Sequence, residues 1–190
     1  KRQARQMMFG VTYTMAQSLS KTVVMVGMMG AGKTAIGRAL AHALDVPFVD
    51  SDAEIEAAAQ RTIAEIFERD GEDFFRQRET EVIDRLLSGP PCILSTGGGA
   101  FLAPTNRDLI ASKGVSVWLD VPLDVLWERV RHKDTRPLLR TENPRATLNA
   151  LFDARVAHYR RADIQVECGQ GSITETTTAV QRALFAFLKD

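Results

Sequence analysis

Apolar positions along this chain fall into two alternating kinds of run: short, nearly continuous stretches rich in β-branched residues, and longer stretches with an apolar residue every third or fourth place. The first kind predicts buried strands and the second amphipathic helices. Thr22–Val26, Phe48-Val49, Cys92–Ser95, Val115–Leu119 and Ile164–Glu167 are the strand-like runs. Lys33–Leu44 places Ile36, Leu40, Ala43 and Leu44 on one helical stripe, and Leu123–Arg131, Pro144–Tyr159 and Thr174–Leu188 repeat that spacing, with a shorter helix over Arg107–Lys113. Strand and helix in alternation predict an α/β fold with a parallel sheet. Between the second and third strands the rhythm breaks. Asp52–Gln60, a capping box at Thr62–Glu65 opening a helix that ends at Gly71, and Glu72–Ser88 give three helices in a row. An all-helical insertion there predicts a substrate-binding subdomain over about residues 51–89.

At the end of the first strand stands Gly27-Met-Met-Gly30-Ala31-Gly32-Lys33-Thr34, which fits G-x-x-x-x-G-K-[ST] between a strand and a helix. The motif needs this context to mean anything, and here it has it. Glycines let the backbone curl so that several N–H groups face one anion, and the new helix turns its positive end toward the same place. Lys33 can reach the outer phosphates, and Thr34 offers a hydroxyl to Mg2+. The second strand ends in Asp50-Ser51-Asp52, and carboxylates at a strand end lie where open α/β sheets bind ligands. Thr96-Gly97-Gly98-Gly99 follows the third strand and allows a close backbone approach to a ligand.

Charge refines this picture without redirecting it. Lys plus Arg and Asp plus Glu number 24 each, so the chain is not built to neutralise nucleic-acid phosphates or to lie on an anionic membrane, and any basic site must be local. With 190 residues and 45% hydrophobic content, one domain over 21–190 is expected. No apolar run approaches the roughly 18 residues of a membrane span. Lys1–Ser20 is mixed and basic without the apolar core of a signal peptide, so it is expected to be a disordered tail, with Met7, Met8 or Met15 as a natural start. Cys92 and Cys168 lie far apart and read as small core residues in a reducing cytosol. A monomeric cytoplasmic protein without nucleic-acid or membrane partners is the expectation.

Three arginines call for individual readings. Arg155 shares the inward stripe of its helix with Leu148, Leu151, Phe152 and Tyr159, so it is either in a buried ion pair or reaching for an anionic ligand. Arg76 shares a face with Ile83 and Leu87 but has charged neighbours, and solvation would explain it as well. Arg136 sits with Lys133 and Arg140 in the aperiodic stretch 132–143, a candidate lid that would bring cations over a transferring phosphoryl group, or a solvated charged loop.

Taken together, the P-loop, Asp50-Ser51-Asp52, Phe75-Arg76, Thr96–Gly99, Arg136-Pro-Leu-Leu139 and Arg155 before Tyr159 resemble the shikimate kinase family of small P-loop kinases, in that family's order from Thr22 onward. The resemblance implies a three-layer P-loop kinase fold with a five-stranded parallel sheet, a helical substrate-binding subdomain and a lid loop. It implies transfer of the ATP γ-phosphate to the 3-hydroxyl of shikimate, in chorismate and aromatic amino-acid biosynthesis, with Mg2+ as cofactor. Carried over by motif, Gly30, Ala31, Gly32, Lys33 and Thr34 would hold the phosphates, Arg129 would stack on adenine and Arg136 would close with the lid. Arg76 and Arg155 would grip the shikimate carboxylate, Asp52 its ring hydroxyls, and Gly97, Gly98 and Gly99 would lie against it. Lys33, Asp52 and Arg136 would be the catalytic groups. The third strand lacks the aspartate that generic P-loop enzymes use for magnesium, so that duty falls to Thr34 and, through water, Asp50. Two other functions remain open on the residues alone: another polyhydroxy-acid kinase, such as one acting on gluconate, and a kinase-like domain that senses a ligand without turnover.

Overall fold

The computed structural model describes residues 19–132 and 137–189. Five parallel strands, β1 (Thr22–Val26), β2 (Phe48–Asp50), β3 (Ile93–Ser95), β4 (Gly114–Asp120) and β5 (Ile164–Glu167), lie side by side in the order β2-β3-β1-β4-β5. The central strand, β1, has all five residues buried, with Val24 aligned to Leu94 of β3 and Ser116 of β4. That is why its sequence is a continuous apolar run and does not alternate: helices cover both faces of the sheet. At one edge β5 does alternate, with Ile164 and Val166 buried and Gln165 and Glu167 exposed.

Helices α1 (Lys33–Leu44), α4 (Pro104–Lys113), α5 (Leu123–Val130), α6 (Pro144–Tyr159) and α7 (Ile173–Phe187) match the predicted helices to within a few residues at their ends. Their apolar stripes join the strands in one core that includes Leu40, Ile110, Leu126, Leu148, Val180 and Leu184. Burying each such side chain contributes about 1.5–3 kcal/mol, which is what holds the strand ends in fixed positions. Cys92 and Cys168 are both buried there as free thiols.

The insertion between β2 and β3 is all-helical, as the sequence reading expects. After α2 (Ser51–Ala59), the element α3 (Ile63–Leu87) consists of the two helices expected on either side of Gly71, meeting at a kink where the Gly71 backbone, at φ 83° and ψ 174°, is not helical. That conformation is open to glycine and closed to other residues, so Gly71 bends the element where an ordinary residue would straighten it. Thr62 and Glu65 form the expected capping box. Ile55, Ile66 and Phe75, with Ala59, Ile63 and Val82, make a second, smaller core between α2 and α3. Among the described residues no helix is long and apolar enough to cross a membrane. Most of the tail 1–20, with Lys133 and Arg136 of the 132–143 stretch, falls outside the described residues; of that stretch, Pro137–Leu139 forms a short 3-10 turn with Leu139 buried.

Candidate active site

The carboxyl ends of β1, β2 and β3 open into one cleft of about 500 Å³, and its walls carry most of the residues singled out in the sequence. The strand order explains the convergence: β1 runs between β3 and β4, so the loops that leave β1, β2 and β3 emerge side by side.

Gly27–Lys33 curls back on itself because Gly32 adopts φ 96°, which a side chain would oppose, and the first turn of α1 has no side-chain cap. Its leading N–H groups therefore remain available to an anion. The Lys33 ammonium donates to the carbonyls of Gly27 (2.8 Å) and Met28 (3.0 Å), closing the loop over itself. Ala31 is buried below the rim, with its N–H bonded to Met28. Arg129 of α5 crosses over and donates to the carbonyls of Gly30 (3.3 Å), Ala31 (3.4 Å) and Gly169 (3.1 Å), while Ile173 and Thr176 of α7 line the same part of the cleft.

Opposite the loop stand the two aspartates. Asp50 caps α2: Oδ1 accepts the Asp52 N–H at 3.1 Å, and Oδ2 then faces the Thr34 hydroxyl at 3.5 Å. Asp52 is half-buried, and its Oδ1 is shut away from solvent with no hydrogen-bond partner. Burial pushes the Asp52 carboxyl above its ordinary range, the neighbouring charge of Asp50 adds to this, and the positive charges of Lys33 and Arg76 pull it partly back.

The glycine triplet runs between these groups, and each of its residues lies against a different side chain. A Cβ on Gly97 would stand 2.9 Å from Asp52 Oδ1, one on Gly98 3.5 Å from Arg155 Nη1, and one on Gly99 2.7 Å from Arg76 Nη2. The even choice left by the sequence for Arg155 is narrowed here, because among the described residues it makes no ion pair. Arg76, at 34% side-chain exposure, is not simply solvated: it donates to Glu79 (2.8 Å) and to Glu72 (3.2 Å). Glu79 is 1% exposed, and burial raises its pKa while the hydrogen bond and charge of Arg76 hold it partly down. Sequence reading missed Glu79, although the signal was present: Phe75, Glu79 and Ile83 form an i, i+4, i+8 stripe, and a carboxylate on a buried stripe requires a cation.

The structure thus gathers Gly30, Gly32, Lys33, Thr34, Asp50, Asp52, Gly97, Gly98 and Arg129 around one cleft, with Arg76, Gly99 and Arg155 adjoining it; Arg136 lies outside the described residues. No group of three or more His, Cys, Asp or Glu side chains able to hold a metal by itself occurs among the described residues. The arrangement suits a phosphate donor on one side and a small polar acceptor on the other.

Comparison with known proteins gives the same direction. A family model described as shikimate kinase matches residues 29–184. The chain is 65% identical to a shikimate kinase of Cereibacter sphaeroides over 87% of its own length and 83% of that protein, and 66% identical to one of Ruegeria pomeroyi over 89% and 87%. Its fold superposes with a TM-score of 0.85 and 38% identity on a shikimate kinase of Acinetobacter baumannii in complex with shikimate, covering 90% of this chain and 96% of that one. With a match of this extent in sequence and in fold, the chain belongs to the shikimate kinase family.

Proposed function

We propose that this chain is an ATP-dependent kinase that transfers the γ-phosphoryl group to the 3-hydroxyl of shikimate, releasing ADP and shikimate 3-phosphate. One observation carries the reading beyond family membership: a partly buried carboxylate, Asp52, stands in the P-loop cleft with one oxygen unpartnered and its pKa raised, where an acceptor hydroxyl would have to lie. On the donor side, Gly30–Thr34 and the first turn of α1 hold the phosphates, and Arg129 meets the base. On the acceptor side, Arg76 and Arg155 pair with the carboxylate; the planar guanidinium fork matches a carboxylate in a way that Lys does not. Residues 51–89 act as the substrate subdomain and 132–143 as the lid, where the resemblance alone carries Arg136.

Phosphoryl transfer passes through a loose transition state in which the nucleophile gains little charge before the donor bond breaks. Asp52 therefore first orients the acceptor hydroxyl and takes its proton late, and a raised pKa suits it to hold that proton. Lys33 leaves the carbonyls of Gly27 and Met28 to meet the oxygens of the transferring group. Magnesium fits the donor set, since Thr34 and Asp50 present two hard oxygens 3.5 Å apart; these two residues would hold it, Asp50 through water. Bound there, it would neutralise charge on the β- and γ-phosphates.

Coupled ADP release with ATP, Mg2+ and shikimate, run beside gluconate and quinate, tests the assignment. Shikimate-dependent release is the expected result. None from folded protein would refute it, faster turnover of gluconate would make the chain a different polyhydroxy-acid kinase, and tight shikimate binding without turnover would make it a sensor.

A second expectation concerns Gly99. An alanine there has no room unless the Arg76 guanidinium moves, and that group is tied to Glu79 and Glu72 and lies 5.2 Å above the Phe75 ring. Gly99→Ala should raise the KM for shikimate by about tenfold, the loss of one charge-assisted pairing, and leave the KM for ATP unchanged in steady-state kinetics.

A further inference from the structure

Tyr159 closes α6, one turn beyond Arg155 and on the same helical face. It is 1% exposed, its ring stacks on Trp118 of β4 at 6.3 Å, and packing alone would be served equally well by phenylalanine. A buried tyrosine must place its hydroxyl. Here the hydroxyl goes to the glycine triplet, donating to the Gly98 carbonyl at 2.5 Å, with the Met28 sulfur of the P-loop 3.9 Å away.

That bond completes a pattern. The Gly97 carbonyl accepts the N–H of Ala100 and the Gly99 carbonyl that of Leu102, both at 3.1 Å, as the chain enters the 3-10 turn Ala100–Leu102. The Gly98 carbonyl has no such local donor and depends on a side chain from a helix 61 residues away in sequence. A peptide unit is planar and trans, so its C=O and N–H point in opposite directions. Fixing the Gly98 carbonyl on Tyr159 therefore fixes where the N–H of Gly99 points. Glycine on both sides of a peptide bond otherwise permits that unit to turn over, which would present an oxygen in place of an N–H.

We propose that Tyr159 is a positioning residue for the acceptor: its phenol pins the Gly98–Gly99 peptide in one orientation and stands behind Arg155, so that the triplet and the Arg155 guanidinium meet the substrate as one unit. The inference rests on the assignment of Arg155 and the triplet to shikimate made above. Burial pushes the Tyr159 phenol up to about 12 against the charge and hydrogen bonding of Arg155, so the group stays protonated and remains a donor at working pH.

Tyr159→Phe keeps the ring and its stacking and removes the donor alone. The KM for shikimate should rise about tenfold, with the KM for ATP unchanged and the melting temperature only slightly lowered. A cycle with Arg155→Lys supplies the readout that a purely structural tyrosine would not move: because the two residues act as one unit, the double variant should lose markedly less shikimate affinity than the two single losses multiplied together. Strict additivity overturns the proposal, as does an equal rise in both KM values. A wild-type protein that leaves shikimate untouched refutes the functional assignment and this inference together. One that phosphorylates it while Tyr159→Phe keeps the wild-type shikimate KM refutes this inference alone.

Discussion

Replacing Asp52 by asparagine should lower turnover by about a hundredfold or more, the loss expected for a positioned acid-base group, while leaving ATP binding nearly intact and making the protein more stable. The first two effects follow from location. Asp52 faces the acceptor side of the cleft, whereas the groups that would hold the phosphates come from the P-loop and α1. The third follows from its surroundings. A carboxyl whose folded pKa lies above its ordinary value of 3.8 binds a proton more readily in the native state than in the unfolded chain. Its contribution to stability is therefore present below the unfolded pKa and is lost as pH rises through the folded one. Above the folded pKa the native enzyme carries the full penalty of an ionised, desolvated Asp52 beside Asp50, and Asn removes it. Thermal melts should then show Asp52→Asn a few degrees above wild type at pH 8, with the two curves converging as pH falls toward the ordinary carboxylate range. The acid limb of wild-type kcat/KM should lie above that range and flatten in the variant. Unchanged turnover would make Asp52 a structural residue, and a lower melting temperature at pH 8 would remove the electrostatic account.

How far the site could be read in advance depends on which contacts are local. β1, the P-loop and α1 are adjacent in sequence, so Gly27–Thr34 declared both their structure and their chemistry. Asp50 and Asp52 were equally legible, because a carboxylate pair at a strand end has a defined place in a parallel sheet. Periodicity put Arg155 inward but could not choose between an ion pair and a ligand, since the choice depends on which acidic residues of other elements reach it. Glu79 and Tyr159 were passed over for a related reason. Each lies on an apolar stripe, and their polar partners, Arg76 over one helical turn and Gly98 across the fold, acquire meaning only once the glycine triplet is set between α3 and α6.

Removing the charge of Lys33 tests the other half of the cleft and its coupling to the first. Lys33→Met keeps the aliphatic stem and deletes the ammonium that closes on Gly27 and Met28. Turnover should fall by about 10²–10³-fold, the range found when one preorganised donor to a developing oxyanion is lost, with shikimate binding little changed. Stability should fall as well, because the two loop carbonyls lose a charged donor. Asp52 supplies a more specific signature. The positive charge of Lys33 holds its pKa down against burial and Asp50, so the variant should titrate Asp52 at higher pH than wild type does. Residual kcat/KM in Lys33→Met should therefore show an acid limb displaced to the alkaline side, and adding Asp52→Asn should abolish that limb. If Lys33→Met kept turnover within tenfold of wild type, the lysine would only brace the loop; if the limb stayed in place, donor and acceptor halves would not share the electrostatic field that the geometry gives them.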